Sequence, residues 1–66
     1  MELKDKFMRF FNRCKDAGLE LTFYRADLTD VVGLSDEEVF EALDTLQIEG
    51  KITLSMNSYT YEIELI

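Results

Sequence analysis

The chain has 66 residues, of which 47% are apolar and 32% charged, and its formal net charge at pH 7 is −7. This length and composition predict one small globular domain, spanning residues 1–66, rather than a disordered acidic tail. One cysteine and no histidine exclude an internal disulfide, a structural zinc site made of Cys and His, and a His-based catalytic triad.

The sequence shows no membrane-spanning segment and no secretion signal. No apolar run approaches the roughly 20 residues that a transmembrane helix needs, and the charged N-terminus lacks the apolar core of a signal peptide. We therefore expect no membrane contact, and we expect Cys14 to be a buried, reduced thiol in a cytoplasmic or nuclear protein.

The charge is unevenly distributed along the chain. The first 16 residues carry five basic and three acidic side chains, whereas residues 17–66 carry two basic and eleven acidic ones. An acidic body of this kind repels phosphate groups and attracts basic surfaces.

Residues 2–16 have apolar side chains at three- and four-residue spacing, which predicts an amphipathic first helix. The apolar positions are Leu3, Phe7, Phe10, Phe11 and Cys14. A second face carries a basic stripe, Lys6, Arg9 and Arg13, which Arg25 or Lys51 would extend. This stripe is either a solvated face neutralised by nearby carboxylates, or a contact for an acidic partner or a nucleic-acid backbone.

Two short elements are predicted after the first helix. Residues 19–24 alternate apolar and polar side chains, which indicates a strand. Residues 25–32 form a second predicted helix, and the glycine at position 33 ends it. Its inward-facing side chains are expected to be Leu28, Val31 and Val32.

Residues 34–50 predict a third helix with both ends marked in the sequence. Ser35 and Glu38 have the spacing of a capping box, and Gly50 supplies a left-handed residue after the last turn. At about 100° per residue, the side chains that fall on one inner stripe are Val39, Ala42, Leu43 and Leu46. The stretch contains six acidic residues and no Lys or Arg.

Residues 51–56 and 59–66 alternate in polarity and predict two strands joined by a tight turn at positions 57 and 58. The predicted element order is therefore α-β-α-α-β-β. This order, the segment DLTDVVGLSDEEVFEALDTLQIEGKITL at 27–54 and the terminal hairpin resemble the winged helix-turn-helix family. The resemblance implies an α+β winged-helix fold, with three helices and a small antiparallel sheet or wing.

In the family this sequence resembles, DNA-binding members place the third helix in the major groove and the wing against the backbone. That mode requires basic or amide side chains at base edges and cations at phosphates. Here the third helix carries carboxylates on its outward face, and the wing segment SMNSYT contains no basic residue. We therefore expect no nucleic-acid binding through the third helix.

One apolar row on the third helix exceeds what the core requires. Phe40 and Ile48 lie on the same side as Asp44 at four-residue spacing, with Glu41 and Gln47 beside them. Aromatic anchors surrounded by polar residues are typical of protein-binding faces. The alternative is that Phe40 packs beneath the first helix or the hairpin and enlarges a small core.

No catalytic or metal-binding pattern is visible among the carboxylates. No nucleophile is paired with a base, no glycine-rich phosphate loop is present, and the adjacent acids at 36–38 fit helix capping better than metal binding. The sequence thus predicts a protein that is not an enzyme and has no catalytic residue, metal site or cofactor.

These patterns predict a protein–protein interaction module. Its acidic third helix is expected to contact the basic surface of a protein partner. The family resemblance implies a setting in replication, transcription or chromosome-handling assemblies. One alternative is a small DNA-binding transcriptional regulator that uses the first helix or a dimer surface. Another is a homodimer that pairs the basic first helix of one copy with the acidic third helix of the other.

Overall fold

The order of secondary-structure elements is confirmed by a computed structural model, which describes residues 2–66 apart from the side chains of Val31 and Val32. Within that range the chain forms three helices and three strands. They are α1 (Leu3–Asp16), β1 (Thr22–Tyr24), α2 (Arg25–Val32), α3 (Asp36–Ile48), β2 (Ile52–Met56) and β3 (Thr60–Leu65). The protein is thus α+β. The predicted inward orientation of the Val31 and Val32 side chains lies outside the described residues.

The three strands form one antiparallel sheet in the order β1-β3-β2. Phe23 of β1 lies opposite Tyr61 of β3, and Leu54 of β2 lies opposite Ile63 of β3. The last strand of the chain therefore occupies the centre of the sheet. This layout is compatible with the winged-helix arrangement expected from the sequence.

The first strand is shorter than predicted. Residues 19–24 were expected to be extended, but only Thr22–Tyr24 is a strand, and Leu19 is 61% exposed. The reason is the way α1 ends, because Gly18 adopts φ +76° and the Leu19 N–H then donates to the Cys14 carbonyl at 2.9 Å. This bond holds Leu19 in the helix end and keeps it out of the sheet.

Both predicted ends of α3 are confirmed. The Ser35 hydroxyl oxygen accepts a hydrogen bond from the Glu38 N–H at 3.3 Å, so Ser35 is the N-cap. At the other end Gly50 adopts φ +75°, and the Lys51 N–H donates to the Leu46 carbonyl at 3.0 Å. This is the six-to-one bond of a Schellman motif, and it turns the chain directly into β2.

The core lies between α3, α1 and the inner face of the sheet. The predicted inner stripe of α3 is buried throughout, and Leu28 of α2 and Cys14 of α1 are buried as expected. The Phe11 ring of α1 lies 5.7 Å from the Phe7 ring and 5.8 Å from the Phe23 ring of β1, measured between centroids. These contacts pack α1 against the sheet.

None of the helices within residues 2–66 combines the length and the apolar character needed to cross a membrane.

Candidate functional site

The side of α3 that faces away from the core combines apolar and acidic side chains. Ile48 is 78% exposed and Phe40 is 39% exposed. Glu41 is exposed and Asp44 is partly exposed on the same side of the helix. The structure thus brings together these four predicted residues, which we call the outer face of α3.

Phe40 lies at the border of this face rather than at its centre. At about 100° per residue, Phe40 and Gln47 are separated by only about 20° around the helix axis. Gln47 contacts β2, because its Oε1 accepts a hydrogen bond from the Leu54 N–H at 3.1 Å. Phe40 therefore belongs to the flank of α3 that is turned towards β2, whereas Ile48 points to solvent.

Gln47, a predicted partner-binding residue, also contacts the sheet. Its side chain is exposed, and its side-chain carbonyl accepts a hydrogen bond from the edge strand β2. The reason lies in the register, since Ile63 directs its own N–H to the Leu21 carbonyl at 2.8 Å, away from its partner Leu54. The Leu54 N–H consequently points outward from the sheet, and Gln47 supplies the acceptor that a neighbouring strand would otherwise provide.

Two cations near the C-terminal end of α3 contact the carboxylate of Glu49. Lys4 of α1 forms an ion pair with Glu49 at 2.6 Å, and Lys51 approaches the same carboxylate at 3.6 Å. The pKa of Glu49 is lowered, chiefly by the hydrogen bond from Lys4. The outer face of α3 therefore presents its carboxylates beside exposed apolar side chains, with no Lys or Arg in the helix itself.

A polar cluster at the start of α3 was not predicted. The Arg25 guanidinium forms an ion pair with the Asp36 carboxylate, and the Tyr61 hydroxyl donates to Asp36 Oδ1 at 3.1 Å. The guanidinium carbon of Arg25 also lies 5.3 Å from the centroid of the Tyr61 ring, within cation–π range. The sequence suggested only that Asp36 favours the helix N-terminus, because its partners lie far away along the chain.

The pKa shifts in this cluster show that Asp36 is held in its charged form and Tyr61 in its neutral form. The hydrogen bond from Arg25 lowers the pKa of Asp36, and the hydrogen bond from Tyr61 lowers it further. Burial raises the pKa of Tyr61, and donation to the Asp36 carboxylate adds to that increase. The cluster thus holds an ionised carboxylate between a cation and a neutral phenol, and it joins α2, α3 and β3.

The basic stripe is smaller than the sequence allowed. Lys6, Arg9 and Arg13 are exposed on α1 as predicted. However, Arg25 and Lys51 do not extend it, because Arg25 is paired with Asp36 and Lys51 approaches Glu49. The stripe therefore consists of three cations on one helix.

Comparisons with known proteins give no family assignment. A scan against protein-family models found no match, and searches of curated proteins and of solved structures also found none. The function is therefore argued from the geometry of this chain.

Proposed function

We propose that this protein is a non-enzymatic winged-helix module that binds a basic protein surface through the outer face of α3. One observation carries the proposal: Phe40 and Ile48 expose 39% and 78% of their surface on a side of α3 that also presents the carboxylates of Glu41 and Asp44. In this interface Phe40 and Ile48 are apolar anchors, Glu41 and Asp44 are the charged rim, and Gln47 is its border with β2.

Physical chemistry favours a protein partner for such a face. Burying apolar side chains against a partner is favourable because it removes them from water, and a few large side chains commonly contribute most of the binding free energy. The carboxylates around them attract a basic surface, accelerate association and repel acidic partners. The setting in a replication, transcription or chromosome-handling assembly rests on the winged-helix resemblance.

The DNA-binding alternative has less support. The outward side of α3 offers no cation to base edges or phosphates, and the segment between β2 and β3 contains no basic residue. The basic stripe on α1 has three cations. The electrostatic part of DNA affinity increases with the number of phosphates that a protein neutralises. Three contacts would give weak, salt-sensitive binding without sequence preference.

Pull-down with purified protein as bait, followed by affinity measurement on the captured partner, tests the proposal. We expect Phe40→Ala to weaken binding, with a loss of more than about 1 to 2 kcal/mol of binding free energy. Ile48→Ala should also weaken binding, whereas its matched control, Leu19→Ala, should not. Leu19 is also an exposed apolar side chain, at 61%, but it follows the C-terminal end of α1, whereas Lys4 at the other end of α1 is the residue that contacts Glu49.

The charge of the face is tested separately. Asp44→Lys should slow association with a basic partner and reduce its dependence on salt, because a rim charge acts mainly on the encounter. Glu62→Lys, an equal change of charge on β3, is the control. If Phe40→Ala and Ile48→Ala bind the partner as tightly as Leu19→Ala does, the outer face of α3 is not the interface.

A further inference from the structure

A concave surface separate from the outer face of α3 lies between the start of α2 and the turn that joins β2 to β3. It is an open groove of about 650 Å³, and the side chains of Tyr24 and Tyr59 line it. These rings are 64% and 77% exposed, whereas the third tyrosine, Tyr61, is fully buried. Two large aromatic side chains are thus presented to solvent in one groove.

The backbone of both tyrosines is fixed before any ligand binds. The Arg25 N–H donates to the Tyr59 carbonyl at 2.8 Å, which joins the turn to the start of α2. Asn57 Oδ1 accepts hydrogen bonds from the N–H groups of Tyr59 and Thr60 at 2.8 and 2.9 Å. Tyr24 lies opposite Thr60 in the sheet. A groove that is ordered in this way loses little conformational entropy when it binds a ligand.

The charge in the groove is negative. Asp27 and Asp30 line it from α2, and both are exposed. Arg25 and Asp36 also line it, but they neutralise each other in an ion pair. Carboxylates beside exposed aromatic faces form a favourable environment for a cation, and they repel phosphate groups.

We propose that this groove binds one Lys or Arg side chain of a basic protein partner. The cationic group packs against the faces of Tyr24 and Tyr59, and Asp27 and Asp30 supply the opposite charge. Arg25 already packs over the Tyr61 ring at 5.3 Å within the protein, which is the same type of contact. The inference rests on the proposed function for the basic character of the partner, and it adds a contact separate from the outer face of α3.

An NMR titration of the ¹⁵N-labelled protein with an acetylated, amidated tetra-arginine peptide at low ionic strength tests the groove directly. We expect backbone amide shifts at residues 24–30 and 57–60, and none there with a tetraglutamate peptide. Tyr59→Ala should lower the affinity of the groove by about two- to fivefold, the effect of losing an exposed cation–π contact. Tyr59→Phe retains the ring and should bind like the wild type.

The carboxylates require a control for general charge. Asp27→Asn combined with Asp30→Asn should weaken tetra-arginine binding at the groove. Glu62→Gln combined with Glu64→Gln removes the same charge from two exposed positions on β3 and should have a smaller effect. If the two double variants are equally weakened, or if Tyr59→Ala binds like the wild type, the attraction is diffuse and the proposal is wrong.

The same variants separate this inference from the proposed function. Phe40→Ala should leave the shifts at residues 24–30 unchanged, because it alters only the outer face of α3. If the captured partner is lost with Phe40→Ala but binds Tyr59→Ala with full affinity, the groove proposal fails and the proposed function stands. If the groove binds tetra-arginine but Phe40→Ala retains the partner, the outer face of α3 is not the interface and the groove site stands.

Discussion

The Tyr61 hydroxyl donates a hydrogen bond to Asp36 Oδ1 at 3.1 Å, although the two residues are 25 positions apart in the chain. Tyr61 is in the central strand of the sheet, and Asp36 is the first residue of α3. Arg25 completes the contact from the start of α2. One carboxylate therefore links the start of α3 to both the sheet and the preceding helix.

The first prediction concerns the acid sensitivity of this contact. The pKa of Asp36 lies below its ordinary value of 3.8, chiefly because of the hydrogen bond from Arg25. As the pH falls, the Asp36 carboxylate of the unfolded chain binds a proton first, because its pKa is higher than that of the folded chain. The stabilisation by Asp36 is therefore fully present above the unfolded pKa and is lost as the pH falls through the folded pKa. Asp36→Asn should therefore destabilise the protein most at neutral pH, and its difference from the wild type should narrow below pH 4.

Urea unfolding at several pH values measures this difference. Glu37→Gln is the matched control, because it removes a carboxylate from the same helical turn and retains the Arg25–Asp36 pair. The wild type and Asp36→Asn should both retain the acid sensitivity that arises from Glu49, whose pKa is also lowered. Equal pH profiles for Asp36→Asn and Glu37→Gln would contradict the role assigned to the pair.

The second prediction concerns the two sides of α3. Leu43 is fully buried and Ile48 is 78% exposed on the same helix. Leu43→Ala should lower the free energy of unfolding by about 2 to 5 kcal/mol, because it removes buried methyl groups and leaves a cavity. Ile48→Ala should change it by less than about 0.5 kcal/mol, as is usual for surface positions. Chemical denaturation of both variants checks the orientation of α3, and similar losses in the two would refute it.

The third prediction concerns the edge of the sheet. Gln47→Ala removes the side-chain oxygen that accepts from the Leu54 N–H, so the Leu54 amide should exchange faster with solvent. Gln47→Glu retains an acceptor oxygen and should restore protection. The unfolding free energy should fall by about 1 kcal/mol or less in Gln47→Ala, because the bond is exposed to water. Unchanged exchange at Leu54 in Gln47→Ala would show that the bond does not persist in solution.

The fourth prediction concerns nucleic acid. We expect no measurable binding to random or promoter-like DNA duplexes near physiological salt, because α3 and the turn between β2 and β3 offer no cation. Fluorescence anisotropy with labelled duplexes measures this. Salt-sensitive micromolar binding that Arg9→Ala or Arg13→Ala weakens would instead support the regulator that uses the first helix.

Most of the secondary structure was predictable because its signals are local. The cap at Ser35, the left-handed Gly50 and the spacing of apolar residues between them lie within one helix and its two ends. Each signal acts through neighbouring backbone groups or through one face of a single element. The order of the elements and the buried side of α3 followed from such signals.

The candidate site was predictable only in part. Sequence spacing placed Phe40 and Ile48 on one side of α3. It did not predict that Phe40 is 39% exposed and Ile48 78% exposed. Periodicity also did not reveal that Gln47, on the flank shared with Phe40, contacts β2 through Leu54. Whether an apolar side chain is covered depends on what packs beside its helix, and periodicity within the helix does not specify that.

Tertiary structure alone decided which charges meet. The sequence offered Arg25 as a member of a basic stripe and Asp36 as a helix-capping acid, yet the fold pairs them and adds Tyr61. The groove between Tyr24 and Tyr59 has the same origin, since its walls come from the start of α2 and the turn before β3. Ion pairs and grooves depend on distances across the fold, and chain folding sets these distances only after the local elements have packed around a common core.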